Sequence, residues 1–158
     1  HTDHWENPSP CEGWTAKEVL DHVIDTQRDV FGNRGLELGP RPEGAPHEAW
    51  AAHAAAVRSA VTDEETLLAT YDSFFGPTTL ADTLLSFYRF DLIIHAWDIQ
   101  RAAGNDLELS DTELAFLETC IPSWGDIFYQ DGICKRPVEV PDDADRQTRV
   151  LALTGRRC

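Results

Sequence analysis

The chain has no methionine among its 158 residues and opens on His1, so further residues are expected to precede His1. Basic side chains are scarce: 13 Lys and Arg stand against 28 Asp and Glu, for a net charge of −15. So acidic a surface repels the phosphates of nucleic acid and of anionic membranes, both of which are bound by neutralising Lys and Arg. Neither is expected as a partner, whereas cations are attracted. No apolar run is long enough to span a bilayer, and nothing at the start reads as a signal peptide. Cys11, Cys120, Cys134 and Cys158 never form C-x-x-C, which removes zinc knuckles and the usual redox motif. A reducing cytoplasm is the expected compartment, with a Cys120–Cys134 disulfide left open. Also missing are G-x-G-x-x-G after a strand, G-x-x-x-x-G-K-[ST] and G-x-S-x-G, so phosphate loops and a serine nucleophile elbow are not indicated.

What is present is helical periodicity. A hydrophobic content of 42% with 26% charged residues suits one soluble domain over residues 1–158. After a turn-rich lead-in through Asn7-Pro8-Ser9-Pro10, Thr15-Ala-Lys-Glu18 fits a capping box that opens a helix to about Phe31. A second, alanine-rich helix is expected over about 47–62, and 63–71 reads as a short helix or loop. Ser73-Phe74-Phe75-Gly76-Pro77 is a break; its aromatics line a groove, make a dimer contact or, most plainly, form a hydrophobic loop tip. Thr78 or Thr79 caps a long helix that stops at Gly104, and Ser110-Asp-Thr-Glu113 is a second capping box. Pro122 is expected to kink or interrupt the helix that follows. The tail reads as extended at 136–141 and polar at 142–145, with an apolar segment at 150–153 that docks back. Strand signals are few, so an all-α bundle is expected.

The chemistry concentrates in Asp91-Leu-Ile-Ile-His95. Four residues apart on a helix, both side chains share one face, in a stripe with Leu80, Leu84, Tyr88, Asp98 and Ala102. A carboxylate and an imidazole on such a face are costly to bury unless something pairs or binds them. Either they satisfy each other, or they are part of a metal site. His22 lies on the inward stripe of the first helix, where a lone His is more often a core or boundary residue than a ligand. His53, among alanines, is a weaker candidate. Two His and one carboxylate would make a three-ligand set with room for water or substrate, as suits Zn²⁺ or non-haem Fe(II). A di-iron site is disfavoured, because the Glu-x-x-His pairs it wants are missing.

Three motifs carry a resemblance. Trp5-x-x-Pro8-Ser-Pro-Cys11-x-Gly-Trp14-Thr15 with Leu20-x-His22 is the first, and Phe90-Asp91-x-x-x-His95-Ala-Trp97-Asp98 with Ala102-x-Gly104 is the second. The third is Pro137-Val-x-Val-Pro141-x-Asp143-Ala144-Asp145 with Leu151-Ala-Leu-Thr-Gly155-Arg156. Together they resemble actinobacterial proteins similar to the N-terminal domain of mycothiol-dependent maleylpyruvate isomerase, in the DinB/YfiT-like metal-binding superfamily. The resemblance implies a four-helix bundle of DinB/YfiT type whose first helix precedes His1, with a short extended C-terminal tail. It implies one divalent metal held by His22, Asp91 and His95, the isomerase having Glu where this chain has Asp91. Zinc ranks first, nickel and iron after it. Asp98 becomes a candidate for orienting a ligand, against the alternative of a surface cap or ion pair.

The activity implied is that of a thiol S-transferase or isomerase. Mycothiol or a similar thiol would be activated at the metal to attack an electrophilic substrate. The alternatives are a non-catalytic metal-binding or sensor module and, last, a non-haem Fe(II) oxygenase.

Overall fold

The computed structural model describes residues 4–157, so His1 to Asp3 of the lead-in and Cys158 lie outside the described residues. The chain folds mainly into helices, with one small two-stranded sheet. The lead-in doubles back on itself through a Pro8–Thr15 antiparallel bridge and a hydrogen bond from Ser9 N to Trp14 O of 2.8 Å. Its carbonyls serve the next helix: Ala16 N donates to Asn7 O at 3.0 Å and Lys17 N to Trp5 O at 2.9 Å. Two first-turn amides that a helix leaves unpaired are thereby satisfied.

Helix α1 (Ala16–Gly32) starts at the expected Thr15/Glu18 capping box and buries Val19, Leu20, Val23, Ile24 and Phe31. Helix α2 (Pro46–Ala60) begins with proline, whose missing N–H costs nothing there, and buries Ala49 and His53. Helix α3 (Glu64–Leu68) is capped by Asp63.

The break at Ser73–Pro77 is instead the turn of a hairpin, which departs from the all-α expectation. Strands β1 (Thr70–Ser73) and β2 (Gly76–Thr79) pair antiparallel in the register Thr70↔Thr79 to Ser73↔Gly76. Threonine and tyrosine suit the strands, and Phe74-Phe75 forms a two-residue loop closed by Gly76 at φ 103°, which a side chain would resist.

Thr79 caps the long helical stretch, accepting from Asp82 N at 3.0 Å. That stretch comprises α4 (Leu80–Thr83), a π-helical turn (Leu84–Tyr88) and α5 (Arg89–Ala102), the π turn closing with Arg89 N–H on Leu84 O. The wider turn carries Tyr88 inward, where it is 5% exposed and its hydroxyl donates to Thr26 O of α1 at 2.6 Å. Such π turns inside α-helices are frequent at functional sites.

Helix α6 (Asp111–Trp124) opens on the expected Ser110/Glu113 box. Pro122 sits in its last turn, and the helix gives way to a 3₁₀ turn (Gly125–Tyr129) three residues on rather than kinking midway. The tail is not all extended: α7 (Arg146–Ala152) forms because Asp145 caps it, accepting from Thr148 N at 2.8 Å, and Val150 and Leu151 bury against the body.

The principal core joins Phe90, Ile94 and Trp97 of α5 to Leu114, Leu117 and Ile121 of α6 and to Val150 and Leu151 of α7. A smaller cluster sets Leu20 and Ile24 of α1 against Ala49 of α2. Helix α1 lies along α5, which fixes the two faces that carry the polar residues of interest. Among the described residues no helix is long and apolar enough to cross a membrane. Cys11, Cys120 and Cys134 are all free thiols, so the Cys120–Cys134 disulfide left open by the sequence is not formed.

Candidate metal centre

The i,i+4 spacing on α5 stacks Asp91 one turn below His95, with Asp91 Oδ1 3.2 Å from His95 Nε2. Across from them, α1 presents His22, whose ring meets that of His95 edge-on at 5.5 Å between centroids. One donor atom from each of His22, Asp91 and His95 lies within 4.8 Å of the other two. The residues singled out in the sequence are therefore brought together. The lead-in reaches His22, the Trp14 ring lying tilted at 4.7 Å from the His22 ring.

His95 is held from behind. Its Nδ1 donates to Asp98 Oδ2 at 2.9 Å, and Asp98 takes a two-pronged contact from Arg156: Nε to Oδ1 at 3.1 Å and Nη2 to Oδ2 at 2.7 Å. Arg156 is itself pinned by a 2.9 Å hydrogen bond from Nη1 to Thr154 O. Asp98 is fully buried, so the sequence alternative of a cap or pair on the surface does not hold, and its carboxylate sits against His95 Nδ1 instead. With Nδ1 engaged, the ring presents Nε2 to Asp91 and His22.

The electrostatics follow from this chain of contacts. Burial disfavours the charged form of His95, but its hydrogen bonds to Asp91 and Asp98 outweigh that and raise its pKa to about 9. Burial likewise works against ionised Asp98, yet the contacts from His95 and Arg156 hold it below the usual carboxylate range. His22 lacks a comparable partner, and burial lowers its pKa, keeping it neutral at neutral pH. Asp91 Oδ2 is buried without any hydrogen-bond partner. An orphaned oxygen on a carboxylate grouped with two imidazoles is what a divalent cation would satisfy, and the nitrogen and oxygen donors fit such an ion.

The three residues line a cavity of about 970 Å³. Phe75 of the hairpin and Phe87 of the π turn line another part of it, their rings 5.6 Å apart, and Cys11, Cys134 and Arg156 border it as well. Thus the hairpin aromatics do line a groove, while Phe74 itself is 61% exposed at the tip.

His53 stands apart. It is fully buried rather than at a boundary, its Nε2 2.9 Å from Gln27 Oε1. Burial, reinforced by the charge of Arg28, lowers its pKa from 6.5 to about 4. As pH falls below 6.5 the unfolded chain takes up a proton that the folded chain refuses, so stability declines between about 6.5 and 4. The full loss is at most about 3 kcal/mol. Urea midpoints measured across that window are expected to fall in the wild type. In His53→Gln, whose amide keeps a donor for Gln27, that part of the slope should vanish.

Sequence reasoning missed Arg156 as a partner of Asp98, 58 residues away, although Gly155-Arg156 stood inside a recognised motif. It also missed the convergence of Cys11 and Cys134 on the cavity. Nothing in local periodicity signals either.

Comparison with known proteins adds the family. The description "Mycothiol maleylpyruvate isomerase N-terminal domain" matches residues 1–100. Two relatives from Mycobacterium tuberculosis, the uncharacterized protein MT0763 of strain CDC 1551 / Oshkosh and the uncharacterized protein Rv0738 of strain ATCC 25618 / H37Rv, are each 30% identical over 117 residues. The match covers 72% of this chain and 62% of each relative, so it spans less than two thirds of their length. No solved structure matches. With that match covering more than half of its length, the chain belongs to the mycothiol maleylpyruvate isomerase N-terminal domain family.

Proposed function

We propose that this protein binds one divalent cation through His22, Asp91 and His95 and uses it in the transfer of a low-molecular-weight thiol, mycothiol or one like it, to an electrophilic substrate. The observation that carries the reading is the convergence of one donor atom from each of the three residues on the cavity, together with an Asp91 Oδ2 that has no hydrogen-bond partner. Family membership supports the thiol. The reading takes residues 1–158 as a single cytoplasmic domain, a four-helix bundle of DinB/YfiT type. Zinc is the first choice for the ion, with nickel or iron next.

When bound, the cation supplies Lewis acidity that lowers the pKa of a thiol toward neutrality. The rest falls to the chain. His22, kept neutral by burial, offers its ring nitrogen without first shedding a proton. Asp98 and Arg156 fix the rotation of the His95 ring, so that Nε2 is the atom presented. Phe75 and Phe87 give the cavity a dry wall against which the electrophile is held.

A metal-binding module without turnover is the second reading. It is favoured by one observation: the ionisable groups that back the ligands, Asp98 and Arg156, are consumed by each other. Elemental analysis joined to turnover assays separates the two. The purified protein is expected to carry one divalent cation per chain, to lose thiol transfer on chelation and to regain it on reloading. Undiminished transfer by stripped protein would overturn the metal reading. Absence of transfer to every member of a panel of electrophiles at full loading would leave the module.

A further inference from the structure

We propose that Cys11 and Cys134 form a dithiol site on the cavity, which converts to an intramolecular disulfide by exchange with a low-molecular-weight disulfide. The inference stands on the two thiols and not on the metal reading.

Both side chains line the same cavity as His22, Asp91 and His95, one from the lead-in and the other from the segment after the 3₁₀ turn. The two segments run side by side next to the thiols: Lys135, adjacent to Cys134, meets Glu12, adjacent to Cys11, in a solvent-exposed ion pair. The Cys134 side is fixed further by the turn at Gly155. That residue has φ 79°, and a Cβ added to it would come within 2.6 Å of Lys135 Cβ, so the Thr154–Arg156 backbone packs directly on the Cys134 segment. The thiol of Cys134 donates to Thr154 O at 3.6 Å. The Arg156 charge acts on both sulfurs, and the Cys11 charge acts on Cys134, which places the two thiols in one electrostatic neighbourhood. Neither is exposed or fully closed off, whereas Cys120 is buried in the core of α6.

The order of events follows from the hydrogen bonding. Cys134 has its proton engaged by Thr154 O, so Cys11 attacks first. Its thiol gives up a proton, and the sulfur bonds to one sulfur of the small disulfide. The other half leaves as a thiol carrying that proton. Cys134 then attacks Cys11 Sγ, its proton leaving with the second small thiol. Two protein S–H bonds are replaced by one S–S bond, and the small disulfide is reduced to two thiols. Burial raises both thiol pKa values, that of Cys134 to about 11, so the exchange accelerates as pH rises.

Oxidised glutathione is a suitable probe, with peptide mapping by mass spectrometry on the full chain. The wild type is expected to yield a Cys11–Cys134 linked peptide, retain no glutathione and revert with dithiothreitol. Cys134→Ser is expected to trap glutathione on Cys11. The wild-type map stands by itself if that variant folds poorly. The proposal is overturned if the wild type accumulates glutathione on either cysteine without the link. It is equally overturned if Cys120 reacts before the pair, or if a link to Cys120 or Cys158 forms in its place.

Discussion

Asp98→Ala is expected to lower folding stability by about 3–5 kcal/mol, because it removes one partner of a buried ion pair and leaves the other uncompensated. Asp98 is fully buried and accepts three hydrogen bonds, one from His95 Nδ1 and two from the Arg156 fork. Without it a guanidinium that is 9% exposed keeps its charge, with Thr154 O as its remaining partner. For a chain of this length the loss corresponds to a fall in Tm of roughly 10 °C or more. Arg156→Ala is expected to cost less, since Asp98 retains His95. The double variant should be more stable than the sum of the two single losses implies, because the stranded guanidinium disappears with its partner. Urea unfolding of the four proteins checks this. An Asp98→Ala protein within about 1 kcal/mol of the wild type would show that the Asp98–Arg156 pair is not a desolvated one.

The contrast between Asp98 and Asp91 shows how far local sequence reaches. Asp91 and His95 were legible because a helix brings i and i+4 together whatever else the chain does. The helix starts at Thr15 and Ser110 were equally legible, being written in four consecutive residues each. His22 required more. Its inward stripe was visible, but its meeting with His95 depends on the packing of α1 on α5, which the sequence suggested only through the general habit of bundles to face inward stripes together and through the family resemblance. The role of Asp98 stayed open until the fold supplied Arg156 from 58 residues away.

The elements that escaped were short or irregular. The hairpin has strands of four residues around an aromatic turn, too brief for alternation to declare itself. The π turn breaks the helical period by one residue, so a stripe drawn at ideal spacing runs through it without warning. Helix α7 is two turns long, and the Pro141 and Asp-rich residues before it hid the Asp145 cap.

His95→Ala is expected to weaken divalent-cation affinity by more than about 100-fold, exceeding the 10- to 100-fold typical of losing an outer partner such as Asp98. It deletes a nitrogen donor and leaves His22 and Asp91, which come from different helices and share no direct hydrogen bond. Two donors leave a cation mostly hydrated, and thiol transfer should fall to background with the metal content. Asp98→Asn is the informative companion, because the amide oxygen can still accept from His95 Nδ1 while the charge on Arg156 goes unanswered. Its affinity should fall between those of wild type and His95→Ala, with its stability reduced as well. His95→Ala, by contrast, relieves Asp91 and Asp98 of a shared imidazole without unpairing Asp98 from Arg156, so its loss of affinity should exceed its loss of stability. Isothermal titration with Zn²⁺, beside urea unfolding of the same proteins, separates those two quantities. Full thiol transfer by metal-free His95→Ala protein would sink the ligand set and, with it, the metal activation of the thiol.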